Sequence, residues 1–444
     1  MEKGFYGTEF AMAEVAAPVF PPRSYNVRDF GGLGDGREKE TTAIGRAIEA
    51  CHASGGGMVV VPAGQWSTGP IHLKSGVHLR IEKDAVVRFS GRFEDYLPAV
   101  FTRWEGIECY NYSPLIYANG CQNIAVTGEG TLVGGGTAWH HWKKLQQGAA
   151  DRLYEAACKG VAVKDRVFAT ERDALRPSFL QPVHCRNVLI EGVSVVDGPM
   201  WSIHPVYCEN LIVRNVKVTS RGPNTDGLNP DSCRNVLIEG CRFETGDDCI
   251  AINSGINEDG WRVGKPCENL VIRDCHMIEG HGGVVIGSGM SGGVRNVFVS
   301  GCRFTGGERG IRIKSMRGRG GCVENVWFDS IEIDGMKNEA IQINVFYGSS
   351  TVLPKTDTPP DFRNMHVSNV KGQGARIAVE IRGLPEHLLS DLHLRNVSLG
   401  ADRGIVCHDV EKLEMENVRI TASRQKASEF GNVKDLRIEN SVID

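Results

Sequence analysis

Four short motifs carry the side chains best suited to chemistry in this chain of 444 residues. NTDG supplies Asp226, GDDC supplies Asp247 and Asp248, GHGG supplies His281, and RIK supplies Arg312 and Lys314. Each of these residues alone has an ordinary reading. An Asp beside Gly is turn chemistry, a His between glycines fits a turn, and Arg and Lys two apart suit a solvated strand. Adjacent Asp247 and Asp248 resist that reading, because like charges held together cost energy and push one carboxyl toward its protonated form. A proton-bearing carboxyl beside ionised ones is the equipment of general acid–base catalysis. That chemistry requires the motifs to converge, although the chain separates them by up to 88 residues, from Asp226 to Lys314.

A repeated phrase shows how they converge. It reads CQNIAVTGEG at Cys121, CRNVLIEGVSV at Cys185, CENLIVRNVKV at Cys208, CRNVLIEGCRF at Cys233 and CENLVIRDCHM at Cys267. It returns from Val294, Val323 and Phe362, with fainter copies from Leu389, Val410 and Val433. Asn187, Asn210, Asn235, Asn269, Asn296 and Asn325 recur at the intervals of solenoid coils. Within each copy apolar residues alternate, as at Val236 and Ile238, then resume at Cys241 and Phe243 after Gly240. Alternation means strands, and the interruption means a corner. Units this short cannot house the crossover helix that parallel strands ordinarily need. A chain that winds and stacks each coil on the previous one, a parallel β-helix, meets every requirement. Equivalent residues then lie about 4.8 Å apart and form internal ladders of Asn and Cys. The intervals 226–247, 248–281 and 281–312 are each about one coil, so the four motifs are expected to form one column.

The beginning of the chain differs. Thr41 to Ala53 places Ile44, Ala47, Ile48 and Cys51 on one helical face, which predicts an amphipathic helix capping the first coil. Residues 1–22 read as an N-terminal extension and 23–444 as a single β-helix domain. Repeat-poor stretches at 91–115 and 134–182, with smaller ones at 255–266 and 347–360, read as insertions walling a binding face.

Composition excludes several classes. A net charge of −4 lacks the basic footprint of a nucleic-acid binder, and no apolar run approaches a membrane span. The 14 cysteines include no C-x-x-C pair and read as buried small apolar residues. GGLGDG at Gly31 lacks the pattern of a phosphate loop. Glu9 and Glu14 interrupt the N-terminal segment, a poor signal peptide, so with Met1 as native start the expected location is cytoplasmic.

In this order and spacing, NTDG, GDDC, GHGG and RIK resemble the polygalacturonases of glycoside hydrolase family 28. The resemblance runs from Tyr25 nearly to the end. Gly69 to Ala118, RPSF at Arg176 and MWSIHP at Met200 look most like the bacterial exo-acting branch. It implies an all-β, right-handed parallel β-helix and metal-free, cofactor-free, inverting hydrolysis of α-1,4-galacturonan. Asp247 then matches the general acid, and Asp226 and Asp248 the carboxylates that hold and activate water. His281 matches a supporting histidine, Arg312 and Lys314 a cationic pair for a galacturonate carboxylate, and Tyr347 in VFYG a substrate-contacting tyrosine. Asn253 departs from the pattern, standing where many bacterial relatives carry Lys. The expected partner is a pectic oligosaccharide or polygalacturonate, attacked from the non-reducing end, with no nucleic acid or membrane; a homo-oligomer is compatible. Competing readings are hydrolysis of rhamnogalacturonan or a decorated galacturonan, a calcium-dependent β-helix lyase, and a non-catalytic glycan-binding solenoid.

Overall fold

The computed structural model describes residues 4–348 and 354–444. Its strands stack as coils of a right-handed parallel β-helix, and the chain divides into two compact units, 14–247 and 248–444 with 1–13.

In unit 14–247 one ladder runs through Gly57–Val61, Val77–Ile81, Gln122–Gly128, Arg186–Glu191, Glu209–Arg214 and Arg234–Glu239, each parallel to the last. A second ladder follows the corner after each, ending in Ser194–Val196, Lys217–Ser220 and Arg242–Thr245. A third passes through Ile71–His72, Ile116–Asn119 and Leu180–Val183, then continues by bridges at Ile203 and Leu228. Register keeps like beside like: Val188, Leu211 and Val236 align, as do Ile190, Val213 and Ile238, and all are buried. The helix Thr41–Ala53 forms as its pattern predicts, burying Ala43, Ile44, Ala47, Ile48 and Cys51.

Unit 248–444 repeats the plan. Cys267–Arg273, Val294–Ser300, Cys322–Asp334, Asp361–Arg382 and Ser390–Glu416 form one ladder. Ile250–Ile252, Val284–Ile286, Ile311–Lys314 and Glu339–Asn344 form another, extended by the 377–382 part of Asp361–Arg382.

The recurring Asn has a backbone cause. Asn123, Asn187, Asn210 and Asn235 all adopt φ between 52° and 57°, and Asn269, Asn296, Asn325 and Asn364 lie between 53° and 59°. Asn tolerates this left-handed corner better than other residues with side chains. Each amide also donates to the coil before: Asn187 to Asn123 at 2.8 Å, Asn210 to Asn187 at 3.0 Å and Asn235 to Asn210 at 3.2 Å. The second unit repeats this from Asn296 to Asn269 and Asn325 to Asn296. Cys185, Cys208 and Cys233 stack likewise, their thiols facing buried carbonyls.

The repeat-poor stretches are more ordered than loops. Val100–Trp104 and Ile107–Asn111 pair as an antiparallel hairpin, and Gln147–Cys158 is a helix absent from the sequence reading. That helix buries only Ala149, Leu153 and Ala157, so its apolar stripe is too thin to stand out.

Asn210→Ala removes one donated and one accepted amide hydrogen bond and puts a β-carbon with no compensating amide in the left-handed region. Urea unfolding is expected to show a loss of about 2–3 kcal/mol, and Asn210→Gly is expected to cost less.

Candidate active site

Local turns set the carboxylates. Asn224 turns the chain with φ 55°, and Thr225 buries its hydroxyl by donating to the carbonyls of Ser220 and Gly222, both at 2.7 Å. Asp226 follows, 5% exposed, and its Oδ2 accepts the amide of buried Asn229 at 2.8 Å. One coil on, Thr245 donates to the carbonyl of Asp247 at 2.7 Å and fixes the GDDC turn. Within unit 14–247, one carboxylate oxygen of Asp226 lies within 4.8 Å of one of Asp247.

Asp248 is 2% exposed and sits among cations. Lys314 Nζ donates to its Oδ2 at 2.7 Å and Arg312 Nη1 to its Oδ1 at 3.3 Å. Alternation along Ile311–Lys314 explains the pairing, since Ile311 and Ile313 face the core while Arg312 and Lys314 share the other face. Tyr347 closes this group, its ring centroid 4.8 Å from Lys314 Nζ and 5.7 Å from the Arg312 guanidinium. The glycine of GHGG is sterically required. A β-carbon on Gly282 would lie 3.1 Å from Asp248 Oδ1 and 2.4 Å from Val285. His281 beside it is half-exposed, with Nε2 3.8 Å from Glu308 Oε1. Asn253 is buried and turns its amide back to the carbonyl of Ala251 at 3.1 Å.

Lys314 and Arg312 bring positive charge to Asp248, compensating it from within the protein.

Several supporting residues escaped the sequence reading. Asn229 lies just beyond NTDG. Arg176, whose RPSF motif registered only as a likeness, is fully buried; it donates to Asn224 Oδ1 at 2.8 Å and to the carbonyls of Pro199 and Pro223. Burial lowers its pKa to about 10, opposed by the charges of Glu105 and Asp226. Asn224 in turn faces Asp247 Oδ2 at 3.5 Å. Deeper in the same unit, His204 accepts from Gln181 at Nδ1 (2.8 Å), which leaves its proton on Nε2, 3.5 Å from Asp231 Oδ2. Arg103 clamps Asp231 at 2.9 Å. Burial holds the His204 pKa below the usual imidazole value. A periodic reading passes over such residues because each occurs once.

A family model for glycosyl hydrolases family 28 matches residues 51–414. The chain belongs to that family. It is a glycoside hydrolase. A hyperthermoactive exopolygalacturonase from Thermotoga maritima shares 42% identity and superposes with a TM-score of 0.88, over 92% of this chain and 94% of that one. A probable polygalacturonase of Vitis vinifera is 30% identical over 85% of this chain and 74% of its own. The exo-poly-alpha-D-galacturonosidase of Dickeya chrysanthemi is 25% identical over 95% of this chain and 75% of its own. The family 28 exopolygalacturonase of Yersinia enterocolitica, at 22% identity and a TM-score of 0.77, over 96% of this chain and 79% of that one, shares the fold.

Two measurements test these supports. Asn229→Ala is expected to lower kcat about tenfold, the worth of roughly one hydrogen bond, with KM and circular dichroism unchanged. The second concerns pH. The folded chain holds His204 neutral whereas an unfolded histidine takes a proton near pH 6.5, so its contribution is full above that pH and is lost on acidification below it. Unfolding titrations of His204→Gln should therefore show a shallower fall in stability below pH 6.5 than the parent, by at most about 1.4 kcal/mol per pH unit.

Proposed function

We propose that this hydrolase is an exo-acting polygalacturonase that removes galacturonate units from the non-reducing end of oligogalacturonides with inversion. The observation that carries the reading is Asp248 locked between Lys314 and Arg312 beneath Tyr347, and within unit 14–247 the close pair Asp226 and Asp247 supports it. Support for exo action comes from the 42% identity to an enzyme named as an exopolygalacturonase. The relatives matched are named polygalacturonases, which disfavours the rhamnogalacturonan, lyase and binding-module readings.

In this mechanism Asp247 donates its proton to the glycosidic oxygen as the bond from that oxygen to the anomeric carbon breaks. Water attacks the same carbon, and one of Asp226 and Asp248 takes its proton while the other holds the water by accepting a hydrogen bond. The cations donate to both oxygens of Asp248, and Asn229 donates to Asp226. Crowding of Asp226 and Asp247 favours one proton retained between them. Arg312 and Lys314 also meet the carboxylate of the substrate, a role that Tyr347 reinforces by stacking on both cations. Asp226 and Asp247 are closer than the ~6.5–9.5 Å separation usual for inverting pairs. Inversion therefore rests on family membership, and the product anomer is the decisive measurement. A cytoplasmic enzyme of this kind would act on imported fragments.

A time course on a defined galacturonate oligomer tests the whole. Monomer as the sole early product, released as the β-anomer, is the expected result; a spread of lengths removes exo action, and an α-anomer removes inversion. Asp247→Asn should cut reducing-sugar release by about 10²–10⁴-fold with the fold intact, and near-parental turnover would overturn the assignment.

A further inference from the structure

The outward column that carries Arg312 and Lys314 does not stop at them. Register continues from Arg312 to Gln342 to Glu380, and beside it from Lys314 to Asn344 to Arg382. The alternating partners, Ile341, Ile343, Val379 and Ile381, are buried in the core, so these four polar residues stand on the same face as the cation pair.

They form a built network. Glu380 Oε2 accepts from Gln342 Nε2 at 2.8 Å and Asn344 Nδ2 at 3.0 Å, and its Oε1 accepts from Arg382 Nε at 2.9 Å. Glu380 and Gln342 are buried, whereas the Arg382 side chain is 40% exposed. The guanidinium is thus anchored through Nε. Its Nη1 and Nη2 have no hydrogen-bond partner among the described residues. Neighbouring arginines are spent differently: Arg317 gives both Nε and Nη2 to Glu386, and Arg309 gives Nε to Glu339 and Nη1 to Glu308. An arginine pinned at one nitrogen with its terminal fork turned outward is preorganised for a carboxylate, because the entropy of placing it is already lost.

We infer that Arg382, oriented by Glu380, is the cation of a further subsite that binds the carboxylate of a second uronic acid residue of the substrate. This inference rests on the polygalacturonase reading above. Two rungs separate Arg382 from Lys314, about 9.6 Å along the column at the ~4.8 Å spacing of strands. A glycan lying along the column with one carboxylate at Arg312 and Lys314 presents a later one to Arg382. The Oε2 side of Glu380, which Arg382 does not touch, also serves the first site. Asn344, held by Glu380, accepts the Phe346 amide at 2.7 Å and so orders the turn that carries Tyr347. Longer oligomers gain a contact that the dimer cannot reach.

The test compares di- and tetragalacturonate as substrates for the parent, Arg382→Ala and Arg382→Lys. For Arg382→Ala, kcat/KM on the tetramer should fall about 10- to 100-fold, the range for a charge-assisted hydrogen-bond pair, with the dimer unchanged. Arg382→Lys, which keeps the charge and loses the fork, should recover part of the loss. On a tetramer methyl-esterified only beyond the unit held by Arg312 and Lys314, parent and Arg382→Ala should be equal. An equal fall on dimer and tetramer would reduce Arg382 to a prop for Glu380 and Tyr347 and overturn the inference. So would no fall on either, or a loss that persists on the ester. Those results leave the polygalacturonase reading standing; failure of the parent to cleave any oligogalacturonide removes both.

Discussion

Parallel stacking in register is the constraint from which the rest of this structure follows. Each coil must hold its neighbour at the spacing of paired strands, and must turn its corners in the same place every time. The asparagines accomplish both at once. Their left-handed backbone makes the corner, and their amides bond to the coil before. Once corners are fixed, sequence distance becomes spatial proximity at a predictable exchange. Asp248 and Lys314 lie 66 positions apart in the chain and 2.7 Å apart in space.

Register also explains how a buried carboxylate survives at Asp248. An ionised group with 2% exposure is costly unless it is paired and hydrogen-bonded. Two cations from one strand meet it, and Gly282 leaves the room that its Oδ1 occupies. Breaking such a group by removing one partner is far more damaging than its net worth would indicate, because a buried charge is left behind. The arrangement therefore holds Asp248 as a fixed acceptor. It also fixes the two cations, so under the proposed function a single electrostatic group would serve both orientation and recognition.

Repetition decided what could be read from the residues alone. The Asn and Cys ladders, the alternating strands, the cap helix and the column of Asp226, Asp247, Asp248, Arg312 and Lys314 each leave a periodic or motif signature. Tyr347, inferred only by likeness, does stack on both cations. His281 stands beside the column, with its Nε2 toward Glu308. The hairpin 100–111, the helix Gln147–Cys158 and the supports Asn229, Arg176, Glu380 and Arg382 were missed. Each occurs once, and its role depends on a partner far along the chain, as Arg176 depends on Asn224, 48 residues away. No local pattern encodes such a pairing.

The two faces of a strand in this fold answer to different requirements. Inward positions such as Ile313, Ile343 and Ile381 repeat the same β-branched residue, because a core filled coil upon coil tolerates little change in shape. Outward positions on the same rungs run Lys314, Asn344, Arg382 and then His408, with no common chemistry. Only the backbone ladder is shared, so charge and hydrogen-bonding capacity can change from rung to rung without disturbing the stack. A column of that kind lets one scaffold present different groups along an extended glycan. Outward chemistry can then be set one rung at a time, whereas the turns of NTDG and GDDC fix Asp226, Asp247 and Asp248 where they stand.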